Sequence, residues 1–296
     1  MTAAFGAFPP RRSYSIPLPS GRIIDLGERP LVMGILNVTP DSFADAAHLT
    51  DTKRAIDVAL QMEADGADVI DIGGESTRPG ADPLDAREEL TRILPVLRGL
   101  AGRIRMPISV DTYKSEVARA AIDAGAAIIN DVSGLRRDPP LANVVAGADV
   151  GLVLMHTRGR SKTMYSEANY SHLMAEVASE LRESIDLAIG AGVSLERIVV
   201  DPGVGFAKRP IHSYGVLARL STLAAELDRP ILIGPSRKSF MRDALPDRAR
   251  QDRDWGTAAA VTAAILAGAH IVRVHAVGEM VQVVRVAEEI RRHGLE

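Results

Sequence analysis

The chain is predicted to be an α/β protein, a (β/α)₈ barrel entered through a short N-terminal β-hairpin. Three observations carry that prediction. Short apolar runs alternate with segments of helical period eight times. The length of 296 residues suits one barrel of eight such units. Every apolar run also stops at polar residues, as strands do where α/β proteins place their chemistry. A doubly wound sheet is the rival fold, but no GxGxxG follows the first run and no GxxxxGKS or GxxxxGKT string occurs.

Taken in order, residues 1–13 read as a flexible leader, with Arg11 and Arg12 as solvated charges. Tyr14 to Leu18 and Arg22 to Leu26 alternate around the turn Pro19-Ser20-Gly21 and predict a hairpin over 14–27. The strand candidates are Leu31–Leu36, Val69–Ile72, Pro107–Val110, Ala127–Ile129, Gly151–Met155, Ile198–Val200, Pro230–Ile233 and His270–Val274. Helical periodicity fills the gaps, for example over Asp51–Asp65, Leu84–Leu100, Lys114–Ala124 and Asn169–Ala191. Gly66, Gly125 and Gly268, each followed by Ala, fit the left-handed residue that closes a helix. Composition does not shift along the chain, so 14–296 is expected to form a single domain.

Composition narrows the function. A net charge of −3 gives no basic footprint for nucleic acid and no polybasic membrane signal. With no cysteine there are no disulfides, thiolate metal sites or cysteine nucleophiles. Hydrophobic residues make up 46%, enough for a full core. The most apolar stretch, 258–274, is broken by Thr262, Gly268, His270 and Arg273, so no membrane span is expected. No targeting segment is recognised, and the expectation is a soluble, cytoplasmic protein.

In a barrel the loops after the strands share one face, so the strand-end residues should converge. They are Asn37; Glu75-Ser76-Thr77-Arg78; Asp111; Asn130-Asp131; His156; Asp201; Ser236-Arg237-Lys238; and Arg273 with His275. Asp111, Asn130 and Asp201 can accept from and donate to the edge of an amino-oxo heterocycle, as such groups read bases. Arg273 and His275 share one face of the last strand, where barrels often bind phosphate. Lys238 falls at the start of a predicted helix, whose N–H groups and dipole favour an anion. The bland alternative for Asp111 or Asp201 is a barrel-mouth acid paired with Lys238. Eight polar strand ends together favour a heterocycle and a phosphate handled in one place.

The residues on these strand ends carry a resemblance. MGILNVTPDSF (33–43), DIGGESTRPGA (71–81), SVDT (109–112), INDVSG (129–134), LMHTRG (154–159), DPGVGFAK (201–208), SRKSF (236–240) and RVHAV (273–277) occur in that order. From about Leu31 to about Ile290 the chain resembles the dihydropteroate synthases, folate-pathway enzymes of the pterin-binding TIM-barrel family. The resemblance implies a transferase that joins 6-hydroxymethyl-7,8-dihydropterin diphosphate to 4-aminobenzoate, with Mg²⁺, and a homodimer. It implies that Asp111, Asn130, Asp201 and Lys238 read the pterin edge, with Met155 packed on the ring, Arg273 stacked against it and Phe206 bordering both substrates. Asn37, Thr77, Arg78, Arg273 and His275 would serve the diphosphate, Asn37 as the Mg²⁺ ligand. Phe43, Pro79, Phe206, Ser236 and Lys238 would form the aminobenzoate pocket. The catalytic set implied is Asp111, Asp201, Lys238, Arg273 and His275. A homologue that binds pterin without catalysis and a pterin-dependent methyltransferase on the same barrel are the alternatives. The chain departs from the usual pattern at Ala46 and Ala47, where two glycines are common, and at Ala276, where an acid is common.

Smaller signals complete the reading. His156 is expected to be a hydrogen-bonded structural histidine. The remaining histidines show no HxH or HExxH spacing, which argues against zinc. The Asp85–Glu89 stretch and the Arg291-Arg292 pair are expected on exposed helix faces. Trp255 is expected in a polar loop before Gly256-Thr257, either packed at a subunit contact or loose on the surface.

Overall fold

In the parallel strands, alternation with a period of two sorts side chains into an inner and an outer set. The computed structural model describes residues 8–39, 48–76, 80–246, 248–249 and 252–294. A hairpin of β1 (Tyr14–Pro17) and β2 (Ile23–Leu26) comes first, paired Tyr14 to Leu26 through Pro17 to Ile23. Eight strands follow: β3 (Leu31–Asn37), β4 (Val69–Gly73), β5 (Ile108–Asp111), β6 (Ile128–Asp131), β7 (Gly151–Met155), β8 (Ile198–Asp201), β9 (Leu232–Ile233) and β10 (Ile271–Val274). All of their pairings are parallel, in the order β8-β7-β6-β5-β4-β3-β10-β9. A parallel bridge from Val200 to Ile231 joins the two ends, and the sheet closes into the predicted barrel.

The connections carry α1 (His48–Ala64), α2 (Ala86–Leu100), α3 (Ser115–Asp123), α4 (Pro140–Ala148), α5 (Leu173–Gly190), α6 (Pro210–Ala218), α7 (Leu220–Leu227), α8 (Asp254–Leu266) and α9 (Val277–His293). The four helices predicted from periodicity, over Asp51–Asp65, Leu84–Leu100, Lys114–Ala124 and Asn169–Ala191, fall within a few residues of α1, α2, α3 and α5. Gly66, Gly125 and Gly268 have φ of 98°, 103° and 95°, as their helix-closing position requires. Gly34 faces outward on β3. A Cβ there would stand 2.9 Å from Met62 Sδ and 3.1 Å from Val277, so its absence lets α1 and α9 close on the strand.

Two apolar layers result. The outer one joins strand residues such as Ile70, Ile129, Leu152 and Val272 to the helices. The inner one fills the N-terminal half of the barrel with Met33, Val69, Ile128, Val153, Val199, Leu232 and Ile271, and the hairpin plugs it from below with Ile16, Leu18 and Leu26. Two residues further along the same inward rows stand Ile35, Asp71, Asn130, Met155, Asp201, Gly234 and Arg273. The barrel interior therefore changes from apolar to polar within one layer, and that boundary is the floor of the site.

Several expectations for charged residues are corrected. Arg11 is buried, and its guanidinium donates to Glu288 over 2.8 Å, so this part of the leader is tied down; Arg12 is exposed but paired with Asp228. Glu89 faces inward and pairs with Lys114, whereas Asp85 caps α2 by accepting from Glu88 N at 2.7 Å. Arg291 is buried beside α9's contact with the leader, donating to Pro9 O, while Arg292 stays exposed. Trp255 belongs to α8 rather than to a loop, and is 88% exposed.

Candidate active site

Strand register places the polar ends at one height. Asn37 pairs with Gly73, Gly73 with Asp111, Asp111 with Asn130, and Met155 with Asp201. Above this row opens a cavity of about 360 Å³ whose lining includes Asn37, Asp111, Phe206, Lys238, Arg273 and His275. Ser236 also lines it, but its hydroxyl is committed: it lies 2.9 Å from His275 Nδ1 and accepts from His275 N at 3.2 Å. Asn37 Nδ2 lies 3.5 Å from the other ring nitrogen of His275, which leaves the amide oxygen for a ligand. Asn130, Met155 and Asp201 are buried in the barrel wall below. Phe43, Thr77, Arg78, Pro79 and the Ala46-Ala47 departure lie outside the described residues.

The floor is organised by a group that the sequence reading passed over. Asp71, in the middle of β4, is fully buried. Its Oδ2 accepts from Arg273 Nε at 2.6 Å and from Asn130 Nδ2 at 2.9 Å. Arg273 also donates from its terminal nitrogen to Asp111 Oδ2 at 2.8 Å. One guanidinium thus holds two carboxylates, and Asp111 pairs with Arg273 rather than with Lys238 as the bland alternative had it. Asp111 Oδ1 is buried and accepts from none of the described residues. A buried acceptor without a donor costs free energy until something supplies one. An acid amid the apolar residues Val69, Ile70 and Ile72 was the available signal for Asp71, since it stands two residues after an inward-facing valine.

Electrostatics follow from burial. Burial pushes the Asp111 carboxyl up to about 7, against the pull of Arg273 and with the help of Asp71. Asp201 is also raised by burial, opposed by Lys238 and by Gly203 N, which donates to its Oδ1 at 2.7 Å. Burial lowers Lys238 to about 8, with Asp201 resisting. Burial works against Arg273 as well, but Asp71 and Asp111 more than restore its charge. Lys238 Nζ donates to Val204 O at 2.6 Å and stands 4.4 Å from the Phe206 ring centroid.

The predicted helix start at Lys238 is corrected. Only a 3₁₀ segment, Ser239–Asp243, begins there, and the long helix α8 starts at Asp254, whose carboxylate already holds Arg237 at 2.7 Å. A short 3₁₀ turn offers little dipole, so the cations Lys238 and Arg273 carry the anion-binding potential. Asp131 is structural, accepting from Ser133 N at 2.7 Å and Leu135 N at 2.5 Å. His156 is buried against Lys208, as expected of a structural histidine.

Carboxylates and cations gathered round one cavity at the mouth of a (β/α)₈ barrel define the class, a barrel enzyme with a polar, charge-lined site. The chain belongs to the pterin binding enzyme family, whose model matches residues 33–275. It is 43% identical over 286 residues to the dihydropteroate synthase of Synechocystis, covering 96% of each chain. Among solved structures, it is similar to Xanthomonas albilineans dihydropteroate synthase with 4-aminobenzoic acid (TM-score 0.87, 41% identity, 95% of this chain and 99% of that one). The same enzyme in complex with 7,8-dihydropteroate gives a TM-score of 0.82 at 39% identity, over 92% of this chain and 97% of that one.

Proposed function

We propose that the chain is an active dihydropteroate synthase, joining 6-hydroxymethyl-7,8-dihydropterin diphosphate to 4-aminobenzoate with release of pyrophosphate. The observation that carries this is the Asp71–Arg273–Asp111 floor, with the buried, unpaired acceptor Asp111 Oδ1, beneath a cavity whose lining includes Asp111, Lys238 and His275. The pterin edge donates to Asp111 and Asp201 and is bounded by Asn130, Lys238 and Met155. Arg273 and His275 take the diphosphate. Phe206 and the Ser236–Lys238 wall receive the aminobenzoate.

An arylamine is a weak nucleophile, so departure of the diphosphate leads and leaves positive charge on the pterin methylene. Preorganised Asp111 and Asp201 stabilise that charge, an effect of roughly 3 kcal/mol for a well-placed group. Arg273 and His275 stabilise the leaving diphosphate, and no base is needed to strip the amine beforehand. Mg²⁺ is proposed as the metal. No group of three or more His, Cys, Asp or Glu among the described residues could hold one. A single amide oxygen from Asn37 suits a hard cation that keeps its waters and draws its other ligands from phosphate. When bound, Mg²⁺ neutralises charge on the diphosphate.

A cytoplasmic homodimer is proposed as well. No described helix is long and apolar enough to cross a membrane. Trp255 on α8 and Ile211 on α6, helices that pack together, stand largely exposed and give a second copy an apolar surface to cover. The test of the activity is direct: purified protein given both substrates forms dihydropteroate and pyrophosphate in equal amounts. Pterin binding with no product would overturn the activity and leave the two alternatives, the non-catalytic homologue and the pterin-dependent methyltransferase.

A further inference from the structure

Lys208 is among the largest fully buried side chains in the molecule, and neither of its hydrogen-bond partners is a carboxylate. Its Nζ lies 2.7 Å from His156 Nδ1 and donates to the backbone carbonyl of Phe206 at 3.3 Å. Burying an amine this completely is costly, and a lysine placed only for packing would be served better by an apolar chain. The segment it grips is constrained elsewhere too. Gly203, Gly205 and Ala207 have φ of 67°, 80° and 46°, so left-handed residues recur at every second position, one of them not glycine. Tyr170 Oη donates to Ala207 O at 2.9 Å, Phe206 N to Gly203 O at 3.0 Å, and Gly205 N to Ser213 Oγ at 3.2 Å. Gly203 packs so closely that a Cβ would fall 2.0 Å from His156 O.

The far side of this contact meets Glu180. His156 Nε2 stands 3.2 Å from Glu180 Oε2, and Glu180 is itself held by Arg136 and Arg158 from outside the barrel. Burial first, and then the charge of Lys208, keep His156 neutral, its pKa lowered to about 3. An ammonium can only donate, so facing Lys208 the neutral ring offers Nδ1 as its acceptor. An amine donates to both partners whether or not it carries the third proton, so the grip does not depend on the charge of Lys208.

We infer that Lys208 is a positioning residue for the second substrate: through His156 and the Phe206 carbonyl it fixes the backbone that aims the Phe206 ring into the cavity. This rests on the proposed reading of Phe206 as a wall of the aminobenzoate site. Asp201 is held by β8 and by Gly203 N, and Lys208 is the least of the cations that favour its charge, after Lys238 and Arg273, so the pterin side responds less than the aminobenzoate side.

The experiment compares Lys208→Met, Tyr170→Phe and Phe206→Ala with the parent in steady-state kinetics. Lys208→Met raises KM for 4-aminobenzoate about ten-fold and leaves KM for the pterin diphosphate within two-fold. Tyr170→Phe, which loosens the neighbouring carbonyl, shifts the same constant about three-fold. A residue that only stabilised the fold would lower the melting temperature and the active fraction but move neither KM. Unchanged KM values in Lys208→Met, or in Tyr170→Phe should the lysine variant not fold, overturn the inference. Hydrogen exchange separates the two readings. If Phe206→Ala leaves the aminobenzoate KM unchanged, the reading of Phe206 fails, and Lys208 is then judged on the amides of residues 203–206. Faster exchange there in Lys208→Met (or Tyr170→Phe) upholds its grip, and parental exchange refutes it.

Discussion

Replacing Asp71 with asparagine isolates charge from hydrogen bonding in the floor of the site. Both donors to Asp71, Arg273 Nε and Asn130 Nδ2, reach the same oxygen, Oδ2, while Oδ1 is buried without a partner. An asparagine with its carbonyl at the Oδ2 position keeps both hydrogen bonds and removes the negative charge, its NH₂ taking the unpaired Oδ1 position. Asp71 is one of the charges that push Asp111 upward, so Asp111 ionises more easily in the variant. Two carboxylates on one guanidinium lie roughly 6 Å apart, and at an effective dielectric of about 20 their repulsion is about 3 kcal/mol, or about 2 pKa units. Allowing for relaxation, the midpoint of Asp111 falls by about 1–2 units from its value of about 7. The sign is checked through binding. Ionised Asp111 is the better acceptor for a pterin N–H, so affinity rises with pH through the midpoint and is lost below it. The assay is the dissociation constant of a pterin analogue with no group titrating near neutrality, measured by calorimetry from pH 5 to 9. Asp71→Asn moves the rising limb to lower pH, and Asp111→Asn abolishes it. A limb that stays in place or moves upward in Asp71→Asn would refute the coupling.

Arg273→Ala leaves two buried carboxylates without their cation, a change that typically costs about 3–5 kcal/mol at neutral pH. Protonation relieves it, so the loss in melting temperature should be larger at pH 8 than at pH 5.5; equal losses would mean that the carboxylates are not ionised in the parent. Asp201→Asn turns an acceptor into a donor against the pterin edge and costs about 1–3 kcal/mol, roughly ten- to a hundred-fold in affinity for a pterin analogue; parental affinity would make Asp201 purely structural. Trp255→Glu puts a charge on the exposed surface of α8 proposed as the dimer contact, and sedimentation should give a dimer for the parent and a monomer for the variant; a variant that associates like the parent would move the interface elsewhere, and a monomeric parent would refute the proposed dimer.

The fold was legible because the eight parallel strands are short, apolar and closed by helix-ending glycines, features local enough to read along the chain. The strand-end residues were legible for the same reason: a polar group after an apolar run marks the mouth of a barrel. Partners across the barrel were not legible. Asp71 and Arg273 are separated by 202 positions in sequence and meet only because closure brings β4 and β10 to either side of β3. Glu89, Arg11 and Arg291 looked solvent-facing because charge alone does not reveal a buried counter-ion. No α-helix starts at Lys238, because an anion-binding pattern without a helical period does not specify one.

The central claim is that the floor formed by Asp71, Arg273, Asp111 and Asp201 lets the diphosphate leave before the amine attacks. The measurement is isotope exchange with the bridging carbon–oxygen position of the pterin diphosphate labelled with oxygen-18, in the absence of 4-aminobenzoate. Reversible departure moves the label into non-bridging positions on the enzyme, and Asp201→Asn slows that movement in step with its loss of turnover. Full turnover with both substrates, but no movement of the label without the amine, would contradict the account.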